Sequence, residues 1–198
     1  MASSIVICNM ALGFLGQDAI TNLLEPQNKP EQLCAQYYDV ARLALLEEAQ
    51  WSFAMRRVVV EGEVAAPEWG YGNAHSLPGD VIRVLFVGLQ EDERKYTQFD
   101  WRFEEGKILT DQNKIFVRYT GDVTDTTRFS PLFVQCLAAR LAADMCIAIT
   151  ENRSLKDQLT REYEGKLQMA VTMDSMQGRS EKLKTGRLIS QRGSGYMY

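Results

Sequence analysis

Apolar residues recur along this chain with two different periods, and the change of period divides it into three stretches. Ile5, Cys8, Leu12 and Leu15 fall at helical spacing with Gly16 behind them as a C-cap, which predicts a short first helix. Residues 17–30 read as a connection closing at Pro26 and Pro30. Pro30 then serves as the first helical residue, with Glu31 placed to meet the positive helix end. Over residues 31–51, Leu33, Tyr37, Val40, Ala44 and Trp51 share one face, and Cys34, Tyr38, Ala41 and Leu45 widen it. So broad a stripe predicts a helix contacted on two sides.

The period then shortens to two. Val58 and Val60 alternate with Arg57, Val59 and Glu61, and β-branched residues favour a strand. Residues 64–79 hold two prolines with Gly70, Gly72 and Gly79, so they read as a long loop whose aromatics, Trp69 and Tyr71, need a partner surface. Ile82, Val84 and Phe86 alternate with Arg83, Leu85 and Val87 to give a second strand. Phe99, Trp101 and Phe103 alternate with Gln98, Asp100 and Arg102 to give a third. Glu105-Gly106 turns the chain into Lys107-Ile-Leu109, and residues 111–114 turn it again into Ile115, Val117 and Tyr119. The expectation is one antiparallel meander with a single apolar face.

Helical spacing returns at Ser130-Pro131, read as N-cap and first residue of a helix that is apolar nearly all round as far as Ile149. Ala138, Ala139, Ala142 and Ala143 let neighbours approach closely, so this should be the central helix. Ser154-x-x-Asp157 resembles a capping box. Behind it Leu155, Leu159, Tyr163 and Leu167 form one stripe and Met169, Met173 and Met176 another, to about residue 176. Residues 178–198 have no hydrophobic period. The predicted class is α+β, a bundle of about four helices with a small inserted antiparallel β-sheet domain and a flexible C-terminal arm. Its parts are bundle helices over 1–52, the β-domain over 53–129, further bundle helices over 130–177, and the arm over 178–198.

Composition narrows the chemistry. With 45% hydrophobic and 24% charged residues in 198, the chain is ordinary for a globular protein. A formal net charge of -4 argues against a surface built to grip phosphates throughout, which needs clustered Lys and Arg. Cys8, Cys34, Cys136 and Cys146 form no CxxC pair, and His75 is the only histidine, so no metal site is expected. The cysteines read as buried, reduced thiols of a protein made in the cytosol. The N-terminus lacks the basic and cleavage features of a leader. The apolar run over 131–149 is interrupted by Gln135, Arg140 and Asp144, which would be costly in a bilayer, so it reads as a core helix.

No catalytic constellation emerges, and no cofactor is called for. His75 lies in a Gly/Pro/Asn stretch without a nucleophile elbow and reads as a solvated or stacking loop histidine. The acidic pairs Glu104-Glu105 and Asp92-Glu93 suggest glycoside hydrolysis, but neighbours on a strand point to opposite faces and do not converge. Gly13-x-x-Gly16 lacks the lysine and preceding strand of a phosphate loop. The arm sets Arg179, Lys182, Lys184, Arg187 and Arg192 against one acid, Glu181, and ends Gly-Tyr196-Met-Tyr198. Such a segment reads either as a solvated, disordered terminus or as an arm that orders on a partner, and aromatics at the end of a polar arm favour the second.

Taken in order, several segments resemble a known family. They are Ala11-Leu-Gly-Phe-Leu-Gly with Ile20 and Leu23, Trp51-Ser-Phe-Ala-Met-Arg-Arg57, and Leu77-Pro-Gly-Asp-Val-Ile-Arg-Val84. Phe103-Glu-Glu-Gly-Lys-Ile-Leu-Thr110, Val117-Arg-Tyr119 and the Ser130-Pro131 helix with Leu137-Ala-Ala-Arg-Leu-Ala142 follow. Their order and spacing, from about residue 4 to residue 175, resemble tail tubular protein A, the head-to-tail adaptor of short-tailed bacteriophages. Ala49-Gln50 departs from the His-Pro-like pair that many relatives place before the tryptophan, and the Trp69-Gly-Tyr71-Gly loop is glycine-rich. The resemblance implies a virion structural subunit, assembled in the host cytoplasm and not an enzyme. It further implies a ring of roughly twelve copies that joins a portal protein to a tail nozzle or tube, with DNA passing unbound through the lumen and no membrane involved. Its C-terminal arm would dock on the portal, here through Arg187, Arg192, Tyr196 and Tyr198. Residue by residue, Trp51 and Phe53 would anchor the junction of helix and sheet, Pro78 and Asp80 set a turn, Gly106 a hairpin, and Ser130 with Pro131 a helix start, with Arg57 a further residue of the signature. Two alternatives remain open, a virion-carried peptidoglycan hydrolase and an interaction protein using the basic tail on nucleic acid.

Overall fold

A computed structural model describes residues 3–62, 66–91 and 97–177. Among them are four α-helices, α1 (Ser4–Phe14), α2 (Lys29–Glu48), α3 (Pro131–Thr150) and α4 (Arg153–Met176). Between α2 and α3 lie six strands, β1 (Met55–Glu61), β2 (Asn73–Ser76), β3 (Val81–Gly88), β4 (Arg102–Glu104), β5 (Lys107–Thr110) and β6 (Lys114–Gly121). The chain is therefore α+β, with about four helices and two small antiparallel sheets. The expected arm over 178–198, and with it Arg187, Arg192, Tyr196 and Tyr198, lies outside the described residues.

The helix ends are set by local chemistry. The α1 terminus is a Schellman motif, in which Gly16 takes φ +65° while Gln17 N–H reaches Leu12 O at 3.0 Å and Gly16 N–H reaches Gly13 O at 3.2 Å. Asn28 caps α2 by accepting from Glu31 N–H at 2.9 Å, and the Glu31 carboxylate accepts from Gln27 N–H at 2.7 Å. Pro30 is thus the second helical residue rather than the first, because Asn28 outcompetes Lys29 as a cap. Ser130 caps α3 with Pro131 at its first position, as the sequence leads one to expect. On α4 the expected Ser154 cap is displaced to Asn152, whose side chain accepts from Leu155 N–H at 3.1 Å. Glu151 at φ 55° and Asn152 turn α3 directly back into α4, so no residues remain for a later start.

α3 is the central helix, with α1, α2 and α4 packed around it. Its Phe133, Leu137, Leu141 and Met145 are fully buried. By length and composition it is the one described helix apolar enough to cross a membrane, yet most of it is covered by its own chain. On α2 the covered stripe is Cys34, Ala41, Leu45 and Leu46, whereas Val40 from the other stripe is 65% exposed. All four cysteines are buried and free.

The sheet region differs from the single meander that alternation suggests. β1-β6-β3 form one antiparallel sheet and β2-β5-β4 another, sharing a small core of Val87, Ile108, Ile115, Val117 and Tyr119. β2 falls inside the stretch expected to be a loop. Asn73-Ala-His-Ser has little strand propensity, and it is pairing with β5 that makes it extended. β3 carries register shifts between Val81 and Arg83 and between Val84 and Phe86. These bulges break the simple alternation and turn Ile82 towards the helical core, while Val81, Val84 and Val87 serve the sheet core. The expected strand over 98–103 shortens to β4, and Phe99 and Trp101 pack on the sheet core from extended chain ahead of it.

Burial also sets a pH limit on the bundle. Tyr38 on α2 packs against the helical core, and burial, with the neighbouring Cys8 thiol adding to it, pushes its phenol up to about 12. Burial and the hydrogen bond to Glu48 likewise raise Tyr163 on α4. A phenol whose pKa is raised on folding favours the folded state fully below its unfolded value of about 10, and that contribution is lost as pH rises through the folded value. The urea midpoint should therefore fall between about pH 10 and about 12. A Tyr38→Phe chain should show a shallower decline in urea titrations across that window, and an unchanged slope would contradict the assignment.

Candidate functional site

The two halves of the molecule are joined by a compact junction of aromatic rings and ion pairs. Trp51, at the exit of α2, is 1% exposed, and its indole N–H donates to Leu45 O at 2.7 Å. That carbonyl is one of the last four of α2, which have no partner within the helix. Arg83 donates to another of them, Glu47 O, at 3.2 Å. Trp51 meets Phe133 edge-on at 4.9 Å between centroids, and Phe53 meets Phe129 and Phe133 at 5.7 and 5.0 Å. α2 has ended at Glu48, so Trp51 and Phe53 belong to the linker and a short 3-10 turn (Ser52–Ala54), not to the helix.

Charges complete the junction. Arg42 on α2 is 3% exposed; it pairs with Asp39 and Asp122 and donates to Val123 O at 2.9 Å. Arg56 at the head of β1 pairs with Asp80 and donates to Asp122 O at 2.9 Å. Asp80 also accepts from the Tyr119 hydroxyl at 3.3 Å, and its backbone carbonyl accepts from Asp122 N–H at 2.7 Å. Burial first, and then the adjoining Asp80 carboxylate, raises the Tyr119 phenol, which keeps it a donor. Gly121 leaves the room this needs, since a Cβ there would stand 2.8 Å from Arg56 Cδ and 3.0 Å from Asp80 Oδ2. From the far side Asp174 on α4 accepts from both Ser52 N–H (2.7 Å) and Ser52 Oγ–H (2.8 Å). A third cluster, Glu48, Arg140 and Tyr163, ties α2, α3 and α4 at 2.5–2.9 Å.

At the end of the sheets away from the bundle lies an open groove of about 630 Å³. Its walls are the loop carrying Glu68, Trp69 and Tyr71 and the β4–β5 side carrying Asp100, Arg102, Glu104 and Asp111. Gly70 at φ +98° makes the bend that presents Trp69, which is 87% exposed. Tyr71 donates to Asp100 at 3.1 Å, and Asp111 accepts from Gly72 N–H at 2.8 Å, which pins the loop to the sheet.

The residues singled out from the sequence thus separate into three places. Trp51, Phe53, Asp80, Ser130 and Pro131 fall at or beside the junction, and Pro78 accepts from Val81 N–H at 3.2 Å in the turn that delivers Asp80. Arg57 points out on β1 into a second, apolar depression with Phe86 and Phe116. Trp69 and Tyr71 line the groove. Gly106 at φ +73° and Glu105 at φ +51° form the two-residue hairpin turn between β4 and β5. Glu104 lines the groove and Glu105 sits at the turn, so the pair does not converge; Asp92-Glu93 lie outside the described residues. His75 is not a solvated loop residue. It is fully buried on β2 with Nε2 2.8 Å from Gln112 O, because pairing with β5 carries it under the sheet. Arg42, Asp122 and Asp174 went unnoticed in the sequence. Each joins a partner some 80 to 122 positions away, and no local pattern marks such a pair. Among the described residues no group of three or more His, Cys, Asp or Glu is placed to hold a metal ion.

Compared with known proteins, the chain matches no family model and no curated sequence.

If the junction holds the halves together, Asp80→Ala should cost about 1–3 kcal/mol, since it removes the carboxylate partner of Arg56 and the acceptor of the Tyr119 hydroxyl. Gly121→Ala should destabilise through the same pair by crowding it. In urea unfolding the double variant should lose less than the sum of the two, and strict additivity would show that the two sites are independent.

Proposed function

We propose that this chain is a non-enzymatic structural subunit, a head-to-tail adaptor of a tailed phage, that forms a ring docked on the portal and connects it to the tail nozzle or tube. The observation that carries the reading is where the ordered motif series falls. Trp51, Asp80 and Ser130-Pro131 sit at joints of the frame, at a helix exit, a turn and a cap, and Gly106 makes a hairpin turn within the sheet. Residues spent on holding two halves at a fixed angle suit a part whose work is geometric. On this reading the basic residues and tyrosines after residue 178 form the arm that reaches the portal, and DNA crosses the lumen of the ring without specific contact. The subunit then belongs to the virion at the head–tail interface. Mixing purified protein with portal should give a ring-on-ring particle in electron micrographs; no association with portal or with any tail component would sink the proposal.

The groove favours a second reading. Glu104 there stands with Glu68, Asp100 and Asp111 beside an exposed tryptophan, a combination that also serves sugar-binding clefts. As a virion-carried peptidoglycan hydrolase, the protein should release soluble fragments from purified cell wall, and Glu104→Gln should abolish the release. Absence of release by the unaltered chain removes this reading.

A further inference from the structure

The groove at the tip of the sheets has a composition that selects its occupant. Four carboxylates, Glu68, Asp100, Glu104 and Asp111, face one cation, Arg102. Asp100 and Asp111 are engaged with the loop, but Glu68 and Glu104 have no ion-pair partner among the described residues. Trp69 lines the same groove with 87% of its surface in solvent. An indole face flanked by carboxylates attracts Arg and Lys side chains through both its quadrupole and their charge. β4, which supplies Arg102 and Glu104, is an outer strand of its sheet with one edge unpaired among the described residues. An extended peptide laid there finds main-chain partners as well. The site therefore fits a basic, extended polypeptide.

The same chain contains one. Residues 178–198 carry Arg179, Lys182, Lys184, Arg187 and Arg192 with Glu181 as the sole acidic side chain, while the chain as a whole is net negative. Reach permits the pairing. Asp174, three residues before the last described one, is hydrogen-bonded to Ser52 at the head of β1. The seven residues of β1 cover about 23 Å towards the tip. There Gly62 N–H bonds Asn113 O, two positions from the groove residue Asp111. Twenty-one extended residues span up to about 70 Å. We propose that the groove seats the chain's own C-terminal segment, with Arg187 and Arg192 against Glu68, Glu104 and the Trp69 face. This needs no portal and stands apart from the adaptor reading; if both hold, the arm is stored on the sheet tip until a stronger partner takes it.

The test uses the full chain and the acrylamide accessibility of Trp69, taken as the difference between the chain and its Trp69→Phe variant. At low salt Trp69 should be shielded, and the shielding should be lost when salt is raised, in Glu68→Lys/Glu104→Lys, and in Arg187→Glu/Arg192→Glu. The variant combining all four reversals should regain it, and the shielding should not depend on protein concentration. Glu68 and Glu104 lie outside both hydrophobic cores, and unfolding curves check that each variant keeps its fold. A Trp69 open to quencher in every chain overturns the proposal. Shielding that survives reversal of the arm, or that grows with protein concentration and so assigns the groove to a second copy, overturns it too. Shielding of Trp69 that appears only on adding chitooligosaccharide assigns the groove to carbohydrate and does the same.

Discussion

A guanidinium that is 3% exposed must be paired or it will not be tolerated, and Arg42 is such a group. Its partners are Asp39 on its own helix, and Asp122 and Val123 just after β6. Satisfying one buried charge therefore requires the sheet to end against the middle of α2. Once Asp122 is placed there, its carbonyl receives Arg56, its N–H reaches Asp80, and the first and third strands are fixed to the same point. The angle between bundle and sheet is held by this chain of contacts together with apolar packing, in which Phe53, Ala54, Val123 and Phe129 from the stretches flanking the strands join the helical core. Ile82 is the main side chain of the sheets that reaches the helical core.

The apolar part of the joint has a different logic. Trp51 fills space beside Phe133 and also occupies a carbonyl that the end of α2 leaves open. A phenylalanine would replace the first contribution but not the second. Asp174 plays the matching part from α4 by capping the short turn that starts the sheet region. Helix ends and strand beginnings are thus satisfied by residues from the other side of the joint, which makes the two halves depend on each other for their polar groups.

How much of this was legible depended on distance along the chain. Caps were readable where they are local: Gly16 ends α1, and Ser130-Pro131 opens α3, because each acts within three or four residues. Asn28 and Asn152 were missed as caps since proline and serine nearby gave competing signals of the same kind. β2 and His75 were misread because Asn73-Ala-His-Ser has no strand signature, and only its partner β5 imposes one. The split into two sheets was hidden for the same reason, as alternation tells a strand from a helix but not which strand lies beside it. Of the groove, Trp69 and Tyr71 stand out in the sequence as aromatics without a partner and Glu104 as half of an acidic pair, but nothing local joins them to one another or to Asp100 and Asp111, which lie about 30 to 42 residues beyond Trp69.

The placement of the six strands between α2 and α3 has a consequence for how the chain is made. Leaving a ribosome, α1 and α2 emerge with Ile7, Leu12, Leu45 and Leu46 ready to be buried, yet the helix that covers them begins only at Pro131. The intervening strands emerge before it, and until α3 arrives the early helices lack their main packing partner. Such long sequence separation between partners slows folding and leaves apolar surface uncovered in the meantime. Synthesis of this chain should accordingly be most vulnerable to misassembly just before its last third appears, and a chaperone that shelters helices at that stage would raise the yield of native protein.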